Sequence, residues 1–211
     1  MYLLRENYEI NPICCLDNFL TESEIETIIN HAQKIKPQQG KVITTNIKEK
    51  NDFTSEYEGE YKNGEILPKI RNSLIRGIES NEKISWLYQK IVQEIYRVNQ
   101  ENFDYILKFV ENLQFTEYNE NDEGFYAKHN DCNNTDNFAT IRKLSFSIQL
   151  SDPDDYEGGE LILYTNEQEF IAPKTKGTII FFQSDIVHEV TPVTKGTRYS
   201  IVGWVRGPNL R

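Results

Sequence analysis

His129 and Asp131 stand two residues apart in GFYAKHND (124–131), and His129 is one of only three histidines in the chain. Residues two apart in an extended strand lie on the same face. An imidazole nitrogen and a carboxylate oxygen placed this way can fill two adjacent positions around one metal ion. A third ligand must come from elsewhere, and His188, in SDIVHEVTPV, is the good candidate. Two imidazoles and one carboxylate form a facial triad that leaves one side of an octahedral ion open, and the mixed nitrogen and oxygen set suits Fe(II) better than structural zinc. Arg198 follows ten residues later and shares a strand face with Ser200 in TRYSIVGWV. A guanidinium inside a sheet structure is costly unless it meets an anion, and a bidentate arginine beside a hydroxyl is a fitting receptor for a carboxylate. Each feature has a plainer explanation. A lone His–Asp pair is usually a surface pair, and Arg198 could reach the rim and meet a local acid. Cys132, next to Asp131, has no CxxC partner and reads as a bystander thiol.

The elements that must position these residues fall into two halves. FLTESEIETIINHAQKIK carries a capping box, Thr21 with Glu24, followed by Ile25, Ile28, Ile29, Ala32 and Ile35 at helical spacing. The third histidine, His31, lies near the end of this helix, where a cation is favoured, and reads as a surface or boundary residue. Ile70, Leu74, Ile75 and Ile78 suggest a second helix opened by Pro68, and Ser80 a cap for a third through Ile84, Leu87, Ile91, Ile95 and Val98. Residues 38–66 are polar and read as an edge strand with loops or as a lid. From about residue 103 the period becomes two. Short runs rich in β-branched and aromatic residues, from LQFTEY to TRYSIVGWV, predict about eight strands separated by turn signals. Eight short strands suit a jelly roll, with the amphipathic helices covering one sheet. The predicted organisation is one integrated domain, mainly β with N-terminal α: a helical support segment at 1–105 and a strand core at 106–211.

Composition excludes some partners. Lys+Arg 23 against Asp+Glu 33 gives a formal net charge of -10, which argues against general affinity for nucleic acid or anionic membranes. The sequence holds no apolar run near the roughly 18 residues of a membrane span. The apolar patch in MYLLRENYEI is too short for a secretory signal, and three cysteines, two of them adjacent, make a poor disulfide framework and predict a reducing compartment.

The full order, His-x-Asp, a distal histidine, then arginine and serine on one late strand, resembles the Fe(II)/2-oxoglutarate-dependent dioxygenases. LSDPDDYEGGEL (150–161) and HEVTPVTKGTR (188–198) are similar to segments of the prolyl 4-hydroxylase-like, PKHD-type branch. The resemblance covers roughly residues 110–206 and is very weak over 36–66. It implies a cupin-like double-stranded β-helix with about three buttressing helices, holding one iron through His129, Asp131 and His188. It also implies Arg198 on the distal carboxylate of 2-oxoglutarate with Ser200 assisting, and Tyr118 at the cosubstrate. Gln149 stands where some relatives place a tyrosine. Tyr126 and Trp204 are expected at the substrate pocket. The carboxylate at Asp131, where halogenating relatives have a small residue, points to hydroxylation.

The same resemblance implies Fe(II), 2-oxoglutarate and O2 as cofactors, ascorbate as a reductant, and a prolyl residue of a protein or peptide as first-choice substrate. A free small molecule is the alternative, and a non-catalytic jelly-roll binding module the rival of another class. A cytoplasmic, bacterial or phage-encoded setting is also implied. Gly158 and Gly159 read as turn formers, and the acids at 152, 154 and 155 as a solvated turn without the spacing of a calcium loop. Substrate choice is expected from loops 38–66 and 132–141.

Overall fold

A computed structural model describes residues 11–42, 66–132, 140–165 and 168–209. Its elements run β1 (Ile13–Leu16), α1 (Glu22–Ala32), β2 (Gln38–Gln39), β3 (Arg71–Asn72), β4 (Leu74–Ile78), α2 (Ser85–Val98), β5 (Phe109–Val110) and β6 (Leu113–Asn119). They continue with β7 (Phe125–His129), β8 (Thr140–Gln149), β9 (Tyr156–Gly158), β10 (Leu161–Tyr164), β11 (Glu169–Ile171), β12 (Ile179–Gln183), β13 (Val187–Val190) and β14 (Val193–Pro208).

The capping box at Thr21 is formed as the sequence predicts. The Thr21 backbone N–H donates to Glu24 at 2.8 Å, and the Thr21 hydroxyl accepts from the Glu24 backbone. Ile25, Ile28 and Ala32 make the buried stripe of α1, and Leu87, Ile91, Ile95 and Val98 that of α2. Both stripes meet one face of a 9-stranded sheet ordered β1-β12-β8-β14-β6-β4-β2, with β5 and β9 also paired to β14. Phe115, Phe146, Ile148, Phe181 and Ile201 complete this helix-side core. A 5-stranded sheet, β11-β10-β13-β7-β3, lies against the other face. Tyr118, Ile180 and Phe182 of the large sheet pack there with Leu161, Leu163 and Val190 of the small one. The result is three layers, with alternate residues of the central strands serving two different neighbours.

Two expectations are corrected. The strands do not form a double-stranded β-helix or jelly roll. Neither sheet closes on itself, because closure needs a ladder between edge strands, and the edges β1, β2, β11 and β3 do not pair with one another among the described residues. The strands are also more numerous than eight. The second correction concerns the helices, of which the described residues form two α-helices rather than three. The stretch from Ile70 to Ile78, spaced like a helix face, leaves a turn at Ile70 and is then extended: Arg71 and Asn72 pair with β7, while Leu74–Ile78 pairs with β6. Tertiary pairing overrides a helical spacing carried by β-branched residues, and the chain passes from one sheet to the other at Ser73. Helix α2 starts without a side-chain cap, after Ile84 rather than at Ser80.

Most of the 38–66 segment and of the 132–141 loop lies outside the described residues. Among those that are described, no helix is long and apolar enough to cross a membrane.

Ile91 is fully buried between α2 and the large sheet. Ile91→Ala is expected to cost about 2–5 kcal/mol, read as a lower midpoint in urea with an unchanged slope.

Candidate metal centre

The pairing of β7 with β13 sets His129 directly opposite His188. Asp131 follows at the end of β7, its backbone N–H donating 2.8 Å to the Ser184 carbonyl. Possible ligand atoms of the three residues lie within 4.8 Å of one another. His188 Nε2 is 3.5 Å from Asp131 Oδ2, and His129 Nε2 is 4.0 Å from Asp131 Oδ1.

Both imidazoles are oriented in the same way. Nδ1 of His129 faces the Ala127 carbonyl at 2.7 Å, and Nδ1 of His188 faces the Ile186 carbonyl at 3.0 Å. A carbonyl only accepts, so Nδ1 carries the hydrogen and Nε2 keeps its lone pair for a metal. Burial, with the neighbouring His188, pushes His129 down to about 3 from its ordinary 6.5, so the ring is neutral at physiological pH. Burial pushes the Asp131 carboxyl up, but His188, His129 and Arg142 together outweigh it and hold the group below its ordinary range. The Ser145 hydroxyl donates to Asp131 Oδ2 at 2.8 Å and meets the Ser184 hydroxyl at 2.9 Å. Two imidazole nitrogens and one carboxylate oxygen, each fixed by a hydrogen bond behind it, are a donor set that fits a divalent non-heme iron.

The triad opens into a cavity of ≈ 330 Å³ between the two sheets. On β14, the alternate residues Arg198, Ser200, Val202 and Trp204 face this cavity, while Ile201 and Val205 face the helices. Arg198 is 1% exposed. Its Nη2 donates to Gln149 at 3.0 Å, its guanidinium lies 5.6 Å from the Tyr118 ring centre, and its Nε and the Ser200 hydroxyl have no hydrogen-bond partner among the described residues. Buried donors of this kind are rare in folded proteins and mark where a ligand belongs. A carboxylate fits them. Tyr118 and Tyr126 also line the cavity, and Tyr126 stacks on His129 with ring centres 3.5 Å apart. The structure thus gathers His129, Asp131, His188, Arg198, Ser200, Tyr118, Tyr126 and Trp204 around one space, with Gln149 behind Arg198. Cys132 is half-buried and outside the metal-ligating group.

Sequence reasoning missed four residues. Ser145 and Ser184 were signalled only by hydroxyls in apolar strand text. Arg142 lines the cavity, stacks over Trp204 at 3.8 Å and is neutralised by Glu111 through bonds of 2.8 and 2.7 Å. Strict alternation puts Arg142 on the face opposite Ser145. A register shift in the β8–β14 pairing, where Val205 meets Leu144 but Arg206 meets Arg142, inserts one residue and turns Arg142 inward. Arg71, on the segment read as helix, also lines the cavity.

The family model described as the 2OG-Fe(II) oxygenase superfamily matches residues 113–206. A PKHD-type hydroxylase of Picosynechococcus is 30% identical over 153 residues, covering 71% of this chain and 68% of that protein. A PKHD-type hydroxylase of Maricaulis maris is 43% identical over 63 residues, covering 30% of this chain and only 29% of the relative's length. Among solved structures, a prolyl hydroxylase of Trichoplax adhaerens in complex with a hypoxia inducible factor oxygen degradation domain peptide fragment has a TM-score of 0.69 at 22% identity, covering 92% of this chain and 83% of that one. A Pseudomonas putida prolyl-4-hydroxylase has a TM-score of 0.66 at 20% identity, covering 94% of each chain.

The buried neutral His129 has a consequence for the metal-free protein. An unfolded chain protonates this histidine near 6.5, whereas the folded one resists down to about 3, so between these values the unfolded state holds the extra proton. This histidine's contribution to stability is therefore present above pH 6.5 and is lost with acidification, with a limiting slope of about 1.4 kcal/mol per pH unit for one proton. Urea midpoints at stepped pH are expected to show this slope, and His129→Gln to flatten it by one proton's worth.

Proposed function

Because the chain belongs to the 2OG-Fe(II) oxygenase superfamily, in its PKHD-type, prolyl 4-hydroxylase-like branch, we propose that it is an Fe(II)- and 2-oxoglutarate-dependent dioxygenase that hydroxylates a C–H bond of a protein substrate, a prolyl residue first among the choices. The carrying observation is a single one: the His129, Asp131 and His188 ligand atoms converge in a cavity that also holds a buried arginine with unused donors. The peptide held by the Trichoplax adhaerens fold neighbour supports a peptide substrate here.

The roles follow from the side chains. His129 and His188 offer Nε2 and Asp131 a carboxylate oxygen, held ready by Ala127, Ile186 and Ser145. Arg198 and Ser200 receive the far carboxylate of the keto acid. Gln149 braces the guanidinium through its carbonyl oxygen, which leaves its amide hydrogens free to donate as well. The Tyr118 ring lies near the guanidinium. When bound, iron and 2-oxoglutarate supply the oxidising chemistry with O2, releasing succinate and CO2 as the substrate gains a hydroxyl. The protein supplies orientation and dryness. Leu161, Phe182, Val190 and Val202 wall the cavity with apolar surface. Tyr126 keeps the His129 ring from turning, its own phenol pushed up to about 12 by burial and so neutral.

Anaerobic protein mixed with Fe(II) and 2-oxoglutarate is expected to develop a weak visible charge-transfer band, and Asp131→Ala to abolish it. Folded protein that stays colourless would sink the proposal. Arg198→Ala is expected to raise the 2-oxoglutarate concentration needed for half-maximal succinate release by tens- to hundreds-fold, the equivalent of about 1.5–3 kcal/mol for a charged hydrogen bond. An unchanged requirement removes Arg198 from the cosubstrate site.

A further inference from the structure

We propose that Arg71 is a second anion receptor in this cavity, and that the substrate carries a carboxylate close to the C–H bond that is hydroxylated. This rests on the hydroxylase reading above and adds a substrate class to it.

The argument begins with the arginines. Six lie among the described residues: Arg71, Arg76, Arg97, Arg142, Arg198 and Arg206. Four of them have an acid. Arg76 pairs with Glu117, Arg97 with Glu94 and Glu101, and Arg142 and Arg206 share Glu111. Arg71 and Arg198 form no ion pair with a described residue, and both line the cavity. For Arg198 the keto acid explains the vacancy. Arg71 calls for an explanation of the same kind.

Arg71 is only 6% exposed. Its neighbours are neutral: Nε donates to Ser73 Oγ at 2.9 Å and Nη1 to the Lys41 carbonyl at 3.2 Å. Its guanidinium lies 4.6 Å from the centre of the Tyr126 ring. Neutral acceptors and an aromatic face only partly offset the cost of taking a cation out of water. The position is nonetheless built for it. A Cβ on Gly40 would fall 2.6 Å from Arg71 Nε, so the absence of a side chain at residue 40 is what admits the guanidinium.

Location identifies the anion. Arg198 sits on the large sheet with Ser200 and Gln149, a complete receptor in itself. Arg71 sits on β3 of the small sheet, one aromatic ring away from the metal ligands, since Tyr126 stacks on both Arg71 and His129. Lys41 adds an exposed cation to the cavity lining, and the one carboxylate among the described lining residues, Asp131, is committed to the metal triad. Although the chain's net charge is -10, the described residues that line the cavity carry a local excess of positive charge. A planar guanidinium selects a carboxylate by paired hydrogen bonds.

The test measures binding anaerobically in the presence of Fe(II) and 2-oxoglutarate, with two matched pairs of probes. One pair is a peptide with proline flanked by Glu or by Gln; the other is free L-proline and its amide. The charged member of one pair is expected to bind roughly tenfold tighter to the wild type, and the pair that responds tells whether the carboxylate is a peptide side chain or that of a free amino acid. Arg71→Gln should erase the preference while 2-oxoglutarate affinity stays within about twofold, and Arg71→Lys should keep part of it. A wild type indifferent to charge in both pairs, or a preference that survives Arg71→Gln, overturns the proposal. Urea midpoints of the metal-free protein add a check on structure. With no counter-charge to lose, Arg71→Met should be as stable as the wild type or more so; a large loss of stability together with intact charge preference would make Arg71 a packing residue. Failure of the hydroxylase reading is separable, because it appears as a wild type that gives no band with Fe(II) and 2-oxoglutarate.

Discussion

The site depends on one ladder, the pairing of β7 with β13 that sets His129 across from His188. Each ring is then held by the carbonyl two residues before it, so both present the same nitrogen to the same point. Nothing else in the site works without this convergence. Asp131 is positioned relative to it by the Ser184 carbonyl and the Ser145 hydroxyl, and the arginines are useful only at the distances it defines. Sheets are good at such placement because backbone hydrogen bonds, rather than flexible side chains, fix the spacing.

The three-layer arrangement explains how a polar cavity survives inside a small domain. Strands β6, β8 and β14 are buried on both faces and divide their side chains between two environments. The helix-side face carries the large apolar residues that hold the fold together. The cavity-side face is then free to carry Arg198, Ser200, Gln149 and Thr116, which would be poor choices for a core. Helices α1 and α2 act from a distance, by supplying the burial that lets the other face be chemical.

How much of this was legible depends on the physics each feature obeys. His129 and Asp131, or Arg198 and Ser200, follow from the alternation of a regular strand, so their shared faces could be read directly. Arg142 could not, because one inserted residue reverses the alternation and nothing local announces it. Arg71 was hidden by a spacing of isoleucines that fits a helix, while the deciding interactions are pairings with β6 and β7, both remote in sequence. Sheet closure was misread for a related reason. Strand number and turn spacing are local properties, but whether edges meet is settled by pairings that only the folded chain possesses.

Strand β14, 16 residues long, carries Arg198, Ser200, Val202 and Trp204 in one unbroken alternation over its middle stretch. At about 3.4 Å per residue, it works as a graduated rule, spacing the Arg198 end of the cavity from its Trp204 end in fixed steps. Such a rule can be relabelled but not lengthened. Exchanging side chains at 200, 202 or 204 would alter what the cavity accepts at one depth and leave the others alone. Adding or removing a single residue between 198 and 204 would move every later side chain to the opposite face, turning cavity residues toward the helices and core residues into the cavity. What the cavity accepts can thus be changed by substitution along β14, while changes of length are tolerable only in the loops around it.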